Sequence, residues 1–112
     1  MSTPALGEFE QIVLLAILRL DHEAYGVTIR SEIEKCTGRE PAPGALYTTL
    51  DRLEEKGLVR SHMADPTPER GGRSKRYFTV SAKGLKAVTH AVRNYQRLLE
   101  GLELPGLTYA QS

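Results

Sequence analysis

One cysteine, no tryptophan and no apolar run longer than Ile12–Leu18 set the outer limits of this chain. A lone Cys36 rules out an internal disulfide and fits a reducing compartment. At the end of a helical pattern it reads as a small buried hydrophobe. The apolar run is far too short to cross a membrane. No basic start leads into an apolar core and a cleavage site, so the expected location is cytoplasmic. His22, His62 and His90 are far apart, with no cysteine or carboxylate at ligand spacing, so no metal site is visible. Ser74 and Lys75 follow two glycines but lack the G-x-x-x-x-G-K-[ST] spacing of a phosphate loop, and no G-x-S-x-G elbow occurs. The chain reads as a non-enzyme with no cofactor.

What is present is an ordinary soluble composition, 40% hydrophobic and 26% charged, in 112 residues, enough for one domain with a small core. The net charge of +1 hides a strong segregation. Residues 1–59 carry six basic against ten acidic side chains, whereas residues 60–99 carry nine against two. Charge collected in one segment can attract phosphates even when the total is small. A solvated basic surface would give the same count, so the placement of the charge has to decide.

The chain is organised around residues 43–60, PGALYTTLDRLEEKGLVR. Leu46, Leu50 and Leu53 recur at helical spacing and share one stripe of a helix beginning near Gly44. Gly57 stops that helix by accepting a left-handed conformation, and Leu58 folds back on Leu53 in a Schellman ending. The opposite face carries Thr48, Asp51, Arg52 and Glu55, with Tyr47 and Thr49 on its flanks. Val59–Met63 is predicted as a strand, residues 65–73 as a loop, and Lys75–Val80 as the returning strand, with Phe78 and Val80 facing the core. The hairpin tip, Arg70-Gly71-Gly72-Arg73-Ser74-Lys75-Arg76, holds four basic residues and no acid. Helix followed by basic hairpin is the order of a winged helix-turn-helix.

Upstream, Thr3 and Pro4 offer a helix start, and Leu6–Leu20 is apolar most of the way round, as expected of a helix buried on more than one side. Asp21-His22-Glu23 is a polar turn. A second helix runs from about Tyr25 to Cys36, closed by Gly38 and prevented from continuing by Pro41 and Pro43. Gly26 permits either a close approach of the backbone to the first helix or a simple turn. Downstream, Ser81 can cap a final helix. Along it Leu85, Val88, Val92, Tyr95, Leu99 and Leu102 alternate spacings of three and four, a heptad seam that either docks on the chain's own core or meets a second copy. Pairing of two copies is the expectation. The fold class is therefore mainly α with a two-stranded β-hairpin wing: a winged helix-turn-helix domain over residues 1–81, then a dimerisation helix and tail over 82–112.

A major-groove reader needs a helix slim enough to enter and side chains that reach base edges. Thr48 and Thr49 supply hydroxyl and methyl groups, Tyr47 a ring and hydroxyl for the backbone, and Arg52 a guanine or phosphate contact. Gly44 and Ala45 supply free amides at the positive end of the helix. Asp51 and Glu55 would be repelled by phosphates, so only the first two turns are expected to insert. Arg70 and Arg73, flanking two glycines, and Lys75 beside them suit a minor groove or the flanking backbone. The expected partner is double-stranded DNA. The rival is a winged helix that binds another protein. A small-molecule effector acting in a pocket between subunits, lined by aromatics such as Phe9 and Tyr95, is compatible with the first reading.

Tyr25-Gly26, Pro43-Gly44-Ala45-Leu46-Tyr47, Leu50-Asp51-Arg52-Leu53-Glu54-Glu55-Lys56-Gly57-Leu58-Val59 and Arg76-Tyr77-Phe78-Thr79-Val80-Ser81-Ala82-Lys83-Gly84 resemble the PadR family of bacterial transcriptional regulators. The match covers roughly residues 6–100. The resemblance implies a homodimeric repressor on a pseudo-palindromic operator, joined through its C-terminal helix, in the compact branch of the family. Pro43 stands where a Ser before the Gly is common, and Val80-Ser81 replaces the usual Leu-Thr. With no tryptophan, the tryptophan-lined drug pocket of some relatives is not carried over.

Overall fold

Helix α1 spans Glu8–Leu20 and starts later than the expected Leu6, for a local reason. Gly7 is its N-cap, and the Glu10 carboxylate reaches back to accept the Gly7 N–H at 2.9 Å. The computed structural model describes residues 5–64 and 75–107, so Thr3 and Pro4 lie outside the described residues. Val13, Leu14, Ala16 and Ile17 of α1 are buried, and Phe9, Ile12 and Leu20 pack at the margin of the core. Leu15 and Leu18 remain exposed, so α1 is not enclosed on two sides within this chain.

A 3-10 turn over Asp21–Glu23 leads into α2, Gly26–Thr37. Gly38 takes the left-handed conformation at φ 73° and closes α2 as expected. Arg30 Nε donates to the Pro41 carbonyl at 2.6 Å, which ties the connection to α2. Helix α3 follows over Pro43–Glu55, with proline in the first turn, where its missing N–H costs nothing. Its C-terminus is the Schellman ending expected from Gly57. Gly57 sits at φ 76°, its N–H bonds the Glu54 carbonyl at 2.9 Å, and the Leu58 N–H bonds the Leu53 carbonyl at 2.9 Å. Leu53 and Leu58 are both fully buried. This ending turns the chain directly into the hairpin.

Strands β1 (Val59–Met63) and β2 (Arg76–Val80) pair antiparallel, with Val59 opposite Val80 and His62 opposite Tyr77. The Phe78 N–H bonds the Ala24 carbonyl at 2.8 Å, and Tyr25 bridges to Tyr77, so the chain before α2 lies against β2. Phe78 is buried and Val80 half-buried, the face assigned to them by alternation. Ser81 caps α4, Ala82–Leu99, its Oγ accepting the Gly84 N–H at 3.0 Å.

Three expectations need correction. Ala87 and Val88 of α4 belong to the same core as Leu14, Ile29, Leu46, Leu50 and Phe78. Val88 is therefore spent in this chain's own core rather than on an outward seam. Helix α4 ends at Leu99, and Gly101 follows at φ 78°, so Leu102 lies beyond the helix and off the seam. Cys36, expected to be buried, is exposed at the rim of the groove between α1 and α2, with its Sγ 3.5 Å from Glu32 Oε2.

Candidate nucleic-acid interface

Helix α3 buries Leu46, Thr49, Leu50 and Leu53. It exposes Gly44, Ala45, Tyr47, Thr48, Asp51, Arg52 and Glu55. Thr49 is thereby removed from the set of groove-facing residues: it is only 7% exposed. The reason is in its spacing. Thr49 lies three residues after Leu46 and four before Leu53, and so falls on the leucine stripe. Thr48 points the other way, and its neighbour one turn earlier is Gly44, so the first half of the outward face is small and flat. At the open end of the helix the Leu46 N–H already bonds the Ala42 carbonyl, and Pro43 has no N–H. The amides of Gly44 and Ala45 are left at the positive end of the dipole.

Tyr47 is 43% exposed, and it explains Gly26. A Cβ built on Gly26 would overlap the Tyr47 hydroxyl and lie 2.7 Å from its Cζ. The close approach is real, and it is to the ring of α3 rather than to α1. One edge of Tyr47 is held by α2 and the other faces solvent.

Arg76, at the start of β2, bonds two acids of α3. Its Nη1 donates to Asp51 Oδ1 at 3.1 Å and its Nη2 to Glu54 Oε1, while its guanidinium lies 4.9 Å from the centre of the Phe78 ring. The Ser61 hydroxyl of β1 donates to the other Glu54 oxygen at 2.7 Å. Ser61, and then Arg76, hold the Glu54 carboxyl below the usual range against the opposing effect of burial. Partial burial works against the Arg76 charge, but the hydrogen bonds to Asp51 and Glu54 outweigh it and raise its pKa. Both strands of the wing are thus fastened to the helix they follow. Sequence reasoning placed Arg76 in the basic tip and missed this pairing, because it depends on where the hairpin folds back over α3.

Lys75 is half-buried, its Nζ 4.1 Å from the centre of the Tyr25 ring. Tyr25 meets Tyr77 edge-on at 5.2 Å, and Tyr77 stacks on His62 at 5.7 Å. The outer face of the wing is therefore aromatic with a basic end. Arg70 and Arg73 lie outside the described residues. Arg52 is exposed on the far flank of α3, where its charge helps to stabilise the Glu10 carboxylate. Burial acts to raise the Glu10 pKa, yet the Lys56 ammonium at 2.7 Å, the Gly7 amide and Arg52 together hold it below the usual range.

Of the expected seam, Leu85 and Tyr95 are about half exposed, and Val92 and Leu99 half-buried. Leu98, not on that seam, is 72% exposed. Tyr95 and Leu98 line an open cleft of about 350 Å³ against Ala5 and Leu6, in the segment that leads into α1. Phe9 does not line it, and lies instead under the Arg39 guanidinium, 4.9 Å from its ring centre.

A helix-turn-helix continued by a hairpin and a closing helix defines a winged-helix protein. The fold is similar to that of F93 from STIV, a winged-helix DNA-binding protein, with a TM-score of 0.69 over 89% of this chain and 100% of that one at 17% identity. More narrowly, the chain belongs to the transcriptional regulator PadR-like family, whose model matches residues 14–90. It is similar to transcriptional regulator Rv3488 of Mycobacterium tuberculosis, 32% identical over 78 residues that make up 70% of this chain and 68% of that one. It also resembles an uncharacterized 37.1 kDa protein in transposon TN4556 of Streptomyces fradiae, 32% identical over 92 residues. That match takes in 82% of this chain and spans only 24% of the transposon protein.

Proposed function

We propose that this transcription regulator binds duplex DNA as a homodimeric repressor and releases it when a small molecule binds. The observation that carries the reading is the Thr48 face of α3, open to solvent and flanked by a hairpin that Arg76 fastens to the same helix. In this reading Thr48 meets base edges, and Tyr47 and Arg52 meet the backbone on either side. The amides of Gly44 and Ala45 receive a phosphate, and Lys75, Arg70 and Arg73 serve the flanking groove. Leu85, Val92, Tyr95 and Leu99, joined by Leu98, join two copies, and the cleft beside Tyr95 is the place for an effector.

Fluorescence polarisation of labelled duplexes from the upstream region, repeated over a salt series, tests it. Binding should weaken steeply with salt. Thr48→Ala should change which sequence is preferred, whereas Lys75→Ala should weaken all sequences alike and flatten the salt slope by about one unit. No salt-dependent complex with any duplex would overturn the reading in favour of a protein-binding module.

A further inference from the structure

A carboxylate at the centre of a DNA-facing surface needs a reason, since phosphates repel it. Asp51 is such a carboxylate. It lies three residues beyond Thr48 on the same outward face of α3, and its side chain is 57% exposed. Side chains at that spacing are neighbours, about 5–6 Å apart at Cβ. A helix placed so that Thr48 touches one base edge therefore brings Asp51 to within a base step or two.

Arg76 changes what Asp51 can do there. Its Nη1 bonds Oδ1 at 3.1 Å and its Nη2 bonds Glu54, so one guanidinium offsets charge on both acids and fixes the plane of the Asp51 carboxylate. An ionised carboxylate accepts through both oxygens and cannot donate. With Oδ1 held, Oδ2 remains able to accept from outside.

We infer that Asp51, oriented by Arg76, reads cytosine in the major groove by accepting a hydrogen bond from its N4 amino group. The assignment follows from what the bases offer. Guanine presents only acceptors at its major-groove edge, and thymine presents an acceptor and a methyl group. Adenine has the N6 amino donor, but beside its N7 acceptor, which repels a carboxylate. Cytosine alone presents a donor with no acceptor next to it on the same base. Arg76 is a positioning residue in this scheme, since it acts through Asp51.

The inference rests on the DNA-binding reading above, and one experiment separates their fates. The wild type, Asp51→Ala and Asp51→Asn are each used to enrich duplexes from a library with a randomised 20-base-pair core (roughly two helical turns), and the enriched sites are then compared by competition. The wild type should enrich a site with cytosine at one position of each half. Replacing that C·G pair by T·A should weaken the wild type roughly tenfold or more, but Asp51→Ala by less than about threefold. Asp51→Asn keeps the shape and the acceptor for Arg76 but turns an amide donor, in place of Oδ2, toward the base, so cytosine should lose its preference at that position. An Asp51→Asn or Asp51→Ala protein that enriches the wild-type site with the wild-type penalty overturns the inference and leaves DNA binding intact. A wild type that enriches nothing overturns both.

Discussion

Gly84 and Gly26 both stand where a methyl group would collide, yet replacing them should have different consequences. A Cβ on Gly84 would overlap the Leu58 carbonyl oxygen and lie 2.9 Å from Val80 Cγ1. The carbonyl is backbone, and it already accepts the Ser81 N–H at 3.0 Å, so it cannot move aside. Gly84→Ala should cost about 2 kcal/mol or more by overpacking, seen as a fall of roughly 8 °C or more in Tm. At Gly26 the obstacle is the far end of the Tyr47 side chain, which can swing away. Gly26→Ala should therefore cost less stability and act mainly by displacing Tyr47. In a double-mutant cycle Tyr47→Ala should remove most of the penalty of Gly26→Ala, and additive losses would disprove the contact.

Glu10 ties stability to pH. Its carboxyl is held below the 4.5 of a free glutamate. A group with a depressed folded pKa contributes stability above its unfolded value, and that contribution is lost as the pH falls through the folded one. Acid melts should show stability declining below about pH 4.5, and Lys56→Met should flatten part of that decline. Glu10 had no visible role in the sequence, because a capping carboxylate that is also buried against the end of α3 looks like any exposed acid in a first turn. Thr49 was legible and misassigned: the same counting that grouped Leu46, Leu50 and Leu53 puts it with them.

Among the elements, the α3–β1 junction was read correctly from sequence because everything that makes it is local. A leucine stripe, one glycine and one following leucine determine a Schellman ending without help from the rest of the chain. The two strands were legible for the same reason, each being bounded by turn residues. The end of α4 was not. Apolar spacing continues through Leu102, but spacing says nothing of the backbone at Gly101, whose positive φ lies just beyond the break. The attachment of the wing was also invisible, since Arg76 meets Asp51 and Glu54 only after the hairpin has folded over α3. That attachment is open to test. Arg76→Gln should free the hairpin, so that backbone amides of β1 and β2 exchange with deuterium faster while those of α2 hardly change. It should also weaken binding to every duplex, because the charges of Asp51 and Glu54 would then repel the nearby phosphates with no guanidinium to offset them. Unchanged exchange in the hairpin would show that strand pairing and Phe78 hold it without the guanidinium.

At the scale of the molecule, α4 divides into two parts with different tasks. Its first half closes the core through Gly84, Ala87 and Val88. The same face continues into Tyr95 and Leu98, where it is open, with exposures of 52% and 72%. Leu15 and Leu18 of α1 are also open to solvent, at 40% each. A helix that leaves its own core with its apolar side uncovered is suited to a second copy, and a two-fold dimer would carry two Thr48 faces to successive turns of a duplex, about 34 Å apart. Tyr95 and Leu98 are remote from α3 in sequence and absent from the core, so replacing both with glutamate should leave the fold intact, with a circular dichroism melt close to wild type. Sedimentation should then report a monomer. Two linked half-sites bind more tightly than one by a factor on the order of 10² to 10⁴, so the monomer should lose at least about a hundredfold in affinity for a full operator. Its dependence on salt should fall to roughly half, since each copy contributes its own phosphate contacts. A double variant that remains a dimer would place the interface on another face, with α1 and its exposed leucines the next to be changed.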